Sequence, residues 1–210
     1  MLHSFGGGGD GNVVTAGLIL DGPGNLYGTT EAGGIYGHGV VFELTPNLDG
    51  SWKEIVLHSF TGGKDGAIPK GGLILDGPGN LYGTTKAGGT YGNGVVFELT
   101  PNPDGSWKEK VLHSFTGGKD GRWPYAGVIS DQAGNLYGTT CYGGASGYGV
   151  AFRLMLGSDG KWRERVLHAF IDHPGACPRA SLIRDASGNL YGTTWGDMST
   201  TFGSVFEITP

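Results

Sequence analysis

Residues that could act as acids, bases or ligands recur in this chain at a nearly constant spacing. Histidine stands in each Leu-His-Ser/Ala-Phe motif, and glutamate stands in most Val-Phe-Glu-Leu/Ile motifs. Both residue types serve in general acid–base catalysis. A catalytic group is needed once, whereas a packing or hydrogen-bonding group is needed in every copy of a repeat. We therefore interpret both sets as structural: His3, His58, His113, His168, Glu43, Glu98 and Glu207.

A second acidic set lies in the glycine-rich segments that follow these histidines, and it includes Asp65 and Asp120. Repeated carboxylates around one axis could hold a cation or a polar ligand. An aspartate before glycine is also typical of tight turns, which is the interpretation we favour. A glycosidase needs two carboxylates at a defined separation. The sequence offers Asp65, Asp120, Glu31 and Asp197 for such a pair but does not select two of them.

The spacing of the motifs predicts the architecture, because they form four tandem copies. The Leu-His motif begins at Leu2, Leu57, Leu112 and Leu167, 55 residues apart each time. One copy contains four short segments rich in β-branched and aromatic residues and bounded by turn residues, which predict strands. In the second copy these segments are 71–76, 80–85, 95–100 and 107–115. Four antiparallel strands per repeat of this length are typical of a propeller blade.

We predict an all-β fold with one domain over residues 1–210, a β-propeller of four four-stranded blades. The blades cover approximately 12–60, 67–115, 122–170 and 177–210, and residues 1–5 complete the last one. The chain begins with an outer-strand motif and ends three strands into a copy, so the N-terminal strand can close the ring. Closure removes unpaired sheet edges. The alternative is an eight-bladed ring made from two chains, so we expect a monomer or a homodimer.

The combined pattern GNLYGTT…GG…VFELTP…DG.W.E.VLHSF resembles the GloVer tandem repeats of bacterial choice-of-anchor proteins. The resemblance covers all four copies. It implies secreted or surface-anchored proteins, usually with more repeats than these four, and it implies no settled biochemical activity. No signal peptide precedes Leu2 and the repeat begins directly after Met1, so we expect either a trimmed chain or a fragment of a longer one.

Composition excludes several classes of function. Glycine accounts for 44 of the 210 residues, which indicates many tight turns. The formal net charge of −5, without a basic run, argues against nucleic-acid binding. No apolar stretch approaches the roughly 20 residues of a membrane span, so we expect no membrane insertion. Because no phosphate-binding loop, nucleophile elbow or zinc-ligand spacing occurs, we expect neither a cofactor nor a metal.

The copies differ most on one face of the predicted disc, where the long loops meet. One variable position holds Val13, Ile68, Trp123 and Cys177, and the other holds Glu31, Lys86, Cys141 and Trp195. Aromatic rings beside hydrogen-bonding groups suit sugars, whose C–H groups offer an apolar surface. We predict a ligand site formed from Trp123, Trp195, Asp65, Asp120, Glu31, Tyr36, Tyr91 and Tyr148, with Tyr125 nearby. Cys141 and Cys177 are candidates for a disulfide, with two free thiols as the alternative.

We therefore expect a secreted or cell-surface module that binds a glycan without catalysis. Two other classes of function stay open. One is a glycan-degrading hydrolase or lyase with carboxylates at the mouth of the channel. The other is a structural or surface-display scaffold.

Overall fold

The computed structural model describes residues 1–172, 175–196 and 202–210. Its strands form four antiparallel sheets, one for each repeat, and no helix occurs in these ranges. The first two sheets contain β1 (Ile19–Leu20), β2 (Leu26–Thr30), β3 (Val40–Pro46), β4 (Trp52–Ser59), β5 (Ile74–Leu75), β6 (Leu81–Thr85), β7 (Val95–Pro101) and β8 (Trp107–Ser114). The last two contain β9 (Ile129–Ser130), β10 (Leu136–Thr140), β11 (Val150–Leu156), β12 (Trp162–Ala169), β13 (Ile183–Arg184), β14 (Leu190–Thr193) and β15 (Val205–Ile208). The prediction of an all-β repeat fold is confirmed.

The strands of each sheet follow chain order, with the shortest strand first. In the second repeat β5 to β8 match the four predicted segments, although β5 contains two residues rather than six. Strand β5 begins three residues later than predicted and ends one residue earlier. The side chain of Asp76 explains only the end. It accepts hydrogen bonds from the amide of Asn80 at 2.7 Å and from the hydroxyl of Tyr82 at 3.0 Å, which turns the chain. Within the described residues, no helix has the length and apolarity needed to cross a membrane.

The apolar core lies between successive sheets. We call the side of a sheet that faces the preceding sheet its near face, and the opposite side its far face. At the first seam, Tyr27 and Val41 on the far face of the first sheet join one cluster with Leu73 and Phe97 of the second. Equivalent clusters join the second sheet to the third and the third to the fourth. Each seam also has a pair of phenylalanine rings with centres 4.9–5.2 Å apart: Phe60 and Phe97, Phe115 and Phe152, Phe170 and Phe206.

The N-terminal residues do not complete the fourth sheet in this structure. Residues 1–5 are not assigned to a strand, and the fourth sheet has three strands in the described ranges. Phe5 instead packs on Phe42 of the first sheet, with ring centres 4.9 Å apart. The predicted closure of a four-bladed ring is therefore not shown. The boundaries proposed for the individual blades stay a prediction.

The repeated histidine and aspartate stabilise the connection between the first two sheets. Oδ2 of Asp65 accepts a hydrogen bond from the amide of Thr61 at 2.8 Å and lies 3.2 Å from Nε2 of His58. Gly66 follows with φ of +108°, and a Cβ there would clash with the side chain of Thr85. The next connection repeats these contacts with His113, Thr116 and Asp120. These contacts support the turn interpretation of the aspartates.

Candidate functional site

The two variable positions of the repeat lie side by side in every sheet. The amide of Lys86 donates a hydrogen bond to the carbonyl of Ile68 at 3.0 Å, and the amide of Cys141 donates to that of Trp123 at 3.1 Å. The first and fourth repeats have the same bond, from Glu31 to Val13 and from Trp195 to Cys177. The constant backbone thus presents a different pair of side chains in each repeat.

One member of each pair has a left-handed backbone conformation. Val13, Ile68, Trp123 and Cys177 have φ angles of 59°, 58°, 56° and 55°, and no other non-glycine residue in the described ranges has a positive φ. This conformation costs about 1–2 kcal/mol in a residue with a Cβ atom. It is held because both backbone groups are bonded: the amide of Ile68 donates to the carbonyl of His38, and its carbonyl accepts from Lys86. Backbone strain of this kind concentrates at functional sites.

A third variable position, two residues after the first, adds positive charge and a further ring. It holds Thr15, Lys70, Tyr125 and Arg179. The guanidinium carbon of Arg179 lies 4.8 Å from the centre of the Tyr125 ring, and Nζ of Lys86 lies 5.2 Å from it. Nζ of Lys70 lies 5.8 Å from the same centre. Cations at this distance from a ring face are attracted to it, so three of them surround Tyr125.

Arg179 also contacts the exposed tryptophan of the fourth repeat. Its guanidinium carbon lies 3.6 Å from the centre of the Trp195 ring, and the Trp195 residue is 50% exposed. Nε of Arg179 donates a hydrogen bond to Sγ of Cys177 at 3.0 Å. Arg179 is therefore held by two rings and a sulfur atom. A guanidinium fixed in this way is oriented before any ligand arrives, which lowers the entropic cost of binding.

Trp123 extends this aromatic surface on the side of the third sheet. Nζ of Lys86 lies 5.5 Å from its ring centre and the guanidinium carbon of Arg122 lies 5.1 Å from it. The ring of Tyr142 stands edge-on to Trp123, with the centres 5.3 Å apart. We call the whole group the cation–aromatic cluster; it consists of Lys70, Lys86, Trp123, Tyr125, Arg179 and Trp195.

Glu31 places a carboxylate against this cluster. It forms an ion pair with Nζ of Lys70 at 2.7 Å and accepts a hydrogen bond from the hydroxyl of Thr15 at 2.7 Å. Partial burial raises the pKa of Glu31, but the bonds from Lys70 and Thr15 outweigh it and leave the pKa below its usual value. Glu31 is therefore ionised at neutral pH, and its charge is balanced by Lys70.

Cys141 and Cys177 form a disulfide that joins the loop of the third sheet to the connection leading into the fourth. Both residues are buried. A cavity of about 210 Å³ lies beside the disulfide and is lined by both cysteines, Tyr142, Tyr148 and Trp195. Because Arg179 donates to the sulfur of Cys177, the disulfide and the cluster form one connected structure.

The other residues predicted for the site lie elsewhere. The carboxylates of Asp65 and Asp120 are engaged by the connections described above. Tyr36 and Tyr91 are exposed in the β2–β3 and β6–β7 loops, and neither ring stacks on a ring or cation of the cluster as far as the structure describes the chain. Asp197 lies outside the described residues.

Lys70, Lys86 and Arg179 are not among the ligand-binding residues predicted from the sequence. A signal for two of them was present, because Lys70, Tyr125 and Arg179 each follow a proline at the same position of their repeat. Among the described residues, no group of three or more His, Cys, Asp or Glu side chains could hold a metal ion. The chemistry of the cluster is that of charge and aromatic surface.

Four similar sheets built from four similar sequences define an all-β tandem-repeat protein. The Gloeobacter/Verrucomicrobia repeat family matches residues 14–210, and the chain belongs to this family. A comparison with curated proteins finds no similar sequence. The family name specifies no activity, so an inference about function depends on the site itself.

Proposed function

We propose that the chain is a non-catalytic module that binds an acidic glycan at the cation–aromatic cluster. The observation that carries this proposal is the position of Arg179 between Tyr125 and Trp195, 4.8 and 3.6 Å from their ring centres. The flat rings offer an apolar surface to the C–H groups of a sugar. A guanidinium donates paired hydrogen bonds to a carboxylate or sulfate with matching geometry.

The local charge favours an acidic glycan over a neutral one. The chain as a whole carries a formal charge of −5, whereas the cluster contains three cations. Lys70 is paired with Glu31, but Lys86 and Arg179 form no ion pair within the described ranges. A positive site on a negative molecule directs an anionic ligand to one place and disfavours its binding elsewhere.

The state of the nearby carboxylates supports binding without catalysis. Asp65 and Asp120 accept hydrogen bonds from their own connections, and Glu31 is paired with Lys70. A glycoside hydrolase needs one carboxyl group that is free to protonate the leaving oxygen. Partial burial raises the pKa of Glu31, but the bonds from Lys70 and Thr15 hold it below its usual value, which is unsuited to that role.

The proposed module is a β-propeller that is secreted or held at the cell surface. The three seams support the propeller, because each repeats the same contacts between the far face of one sheet and the near face of the next. The disulfide between Cys141 and Cys177 supports the location, since structural disulfides persist in oxidising compartments.

A glycan array tests the binding proposal. The array should carry neutral, carboxylated and sulfated oligosaccharides and should be read at about 0.15 M salt, where weak long-range attraction is screened. We expect signals on acidic glycans that disappear with Arg179→Met, which retains much of the apolar stem and removes the charge. Arg165→Ala, in the outer strand β12, is the matched control and should bind like the parent chain. Absence of any signal, or equal loss in both variants, would overturn the proposal.

A further inference from the structure

Within the described residues, no sheet covers the far face of the fourth sheet as the other far faces are covered. Val205 is 81% exposed there, and Ile183 is exposed beside it. The equivalents of Val205 in the first three sheets are fully buried at the seams: Val41, Val96 and Ala151. A groove of about 230 Å³ crosses this face and is lined mainly by apolar atoms of Ile183, Tyr191 and Val205. The far face of the fourth sheet thus has the residues of a seam, but no near face of another described sheet packs against it.

The near face of the first sheet is the complementary half. Leu18 is 46% exposed on it, and Leu20 is exposed as well. The equivalents of Leu18 in the other three sheets are buried against the preceding sheet: Leu73, Val128 and Leu182. Contiguous apolar surfaces of this kind mark interaction sites in stable proteins.

The N-terminal segment already lies where the end of a preceding outer strand would lie. Phe5 packs on Phe42 as Phe60 packs on Phe97. In the first three sheets the fourth, outer strand pairs with the third strand in one register. This register places His58 opposite Val41, His113 opposite Val96 and His168 opposite Ala151. By the same register, His3 would stand opposite Val205. In the described chain β15 is an edge strand, so its outer hydrogen-bonding groups are open to such pairing.

We propose that the far face of the fourth sheet binds the near face of the first sheet in a second copy of this chain. The seams inside the chain define the occupant, since each of them joins these same two kinds of face. The first sheet of the same chain does not cover the far face of the fourth, since Val205 and Leu18 both stay exposed. The covering therefore comes from another molecule. In a dimer of this kind, the far face of the fourth sheet in each copy is covered by the first sheet of the other copy. The two chains then form a closed ring of eight sheets, and no exposed face is left to bind a third copy.

A polar contact at the seams accompanies the apolar one. The hydroxyl of Thr84 donates a hydrogen bond to the carbonyl of Ala126 in the next repeat at 2.8 Å, and Thr29 donates to the carbonyl of Gly71 at 3.4 Å. Thr139 at the third seam is buried and has no such partner in the described ranges. Thr193 is the equivalent threonine of the fourth sheet and is exposed. In the proposed contact it faces the carbonyl of Ala16 in the second copy.

The mass in solution tests whether the contact forms. Native mass spectrometry and light scattering across about 1–100 µM should show a species of twice the 21.8 kDa chain mass. Val205→Asp should raise the dissociation constant of the dimer at least tenfold, because it places a charge in the apolar seam. Leu48→Asp alters an even more exposed apolar side chain, in the β3–β4 turn, and should leave the dimer intact. A monomer at every concentration, or a dimer unaffected by Val205→Asp, would overturn the proposal.

A cysteine cross-link tests which molecule supplies the N-terminal segment. The variant His3→Cys/Val205→Cys should give a covalent dimer under oxidising conditions, and neither single variant should do so. A cross-link within one chain would show that the segment closes its own ring, which contradicts the proposal. Unchanged circular dichroism of each variant provides the check that the sheets are folded.

Discussion

The guanidinium of Arg179 lies 3.6 Å from the centre of the Trp195 ring, and this pair occupies the same two repeat positions as Thr15 and Glu31. In the first repeat these positions are joined by a hydrogen bond of 2.7 Å from the Thr15 hydroxyl to the Glu31 carboxylate. The backbone that brings the two positions together is the same in both repeats. Variation at these positions therefore changes the chemistry of the surface without changing the fold that presents it.

The first prediction concerns the disulfide. Replacing both cysteines, Cys141→Ser and Cys177→Ser, should lower the free energy of unfolding by about 2–4 kcal/mol, because the cross-link restricts the unfolded chain. Chemical denaturation of the parent and the double variant measures this difference. The variant should also bind the acidic glycan more weakly, since Arg179 loses the sulfur that holds its Nε. Equal stability of the two proteins would contradict this account.

The second prediction concerns backbone strain at an exposed site. Val13 has φ of 59° and is 54% exposed, so its side chain contributes little packing. Val13→Gly should raise the free energy of unfolding by about 0.5–1 kcal/mol, because relief of the left-handed conformation exceeds the entropic cost of glycine. The control is Val14→Gly at the next residue, whose φ is not positive, and it should lower stability. If both variants lose stability equally, the strain is absent.

The third prediction concerns pH. Glu109 is partly buried in β8, and burial, with a smaller contribution from the charge of Asp65, raises its pKa to about 7. Glu164 in β12 has the same shift, to about 7, from burial and from Asp120. The folded state therefore holds these protons more tightly than the unfolded chain does, and stability declines as pH rises from about 4.5 through 7.

Glu109→Gln and Glu164→Gln remove this dependence. At pH 8 each variant should raise the melting temperature by about 2–4 °C, the shift expected for roughly 1 kcal/mol in a protein of this size. At about pH 3, well below the ordinary pKa of 4.5, the parent and the variants should melt together, since both states then hold the proton. Burial lowers the pKa of His58, which contacts Asp65, but that residue is common to all of these proteins and does not affect the comparison. Parallel curves across the whole range would contradict the assignment.

Much of the fold could be predicted from the sequence because it depends on local rules that are repeated four times. Turn residues follow the first and third strands of the first three sheets, and one register joins the third and fourth strands of each of these sheets. How the near face of the first sheet and the far face of the fourth sheet are covered could not be predicted in the same way. Whether residues 1–5 pair with β15 depends on the angle between successive sheets, which is set by packing at Tyr27, Val41 and Leu73 rather than by any local motif.

The site could be predicted in part. Trp123, Trp195 and Glu31 each contact one of the three cations around Tyr125, because the variable positions lie in loops at the same end of the sheets. The role of Arg179 was missed because stacking between a cation and two rings depends on side-chain directions across a seam. Asp65 was predicted to bind the ligand, but its carboxylate contacts Thr61 and His58 in the connection between the first two sheets.

Equilibrium binding to matched pairs of oligosaccharides tests the central claim most directly. Oligogalacturonate and its full methyl ester form one pair, and a sulfated galactan oligosaccharide and its desulfated form make the other. For at least one pair, at about 0.15 M salt, the charged member should bind at least tenfold more tightly than the neutral one, a difference of about 1.4 kcal/mol. Arg179→Met should remove that preference, and Arg165→Ala should retain it. No binding to either pair, or equal binding of the charged and neutral members, would contradict the account.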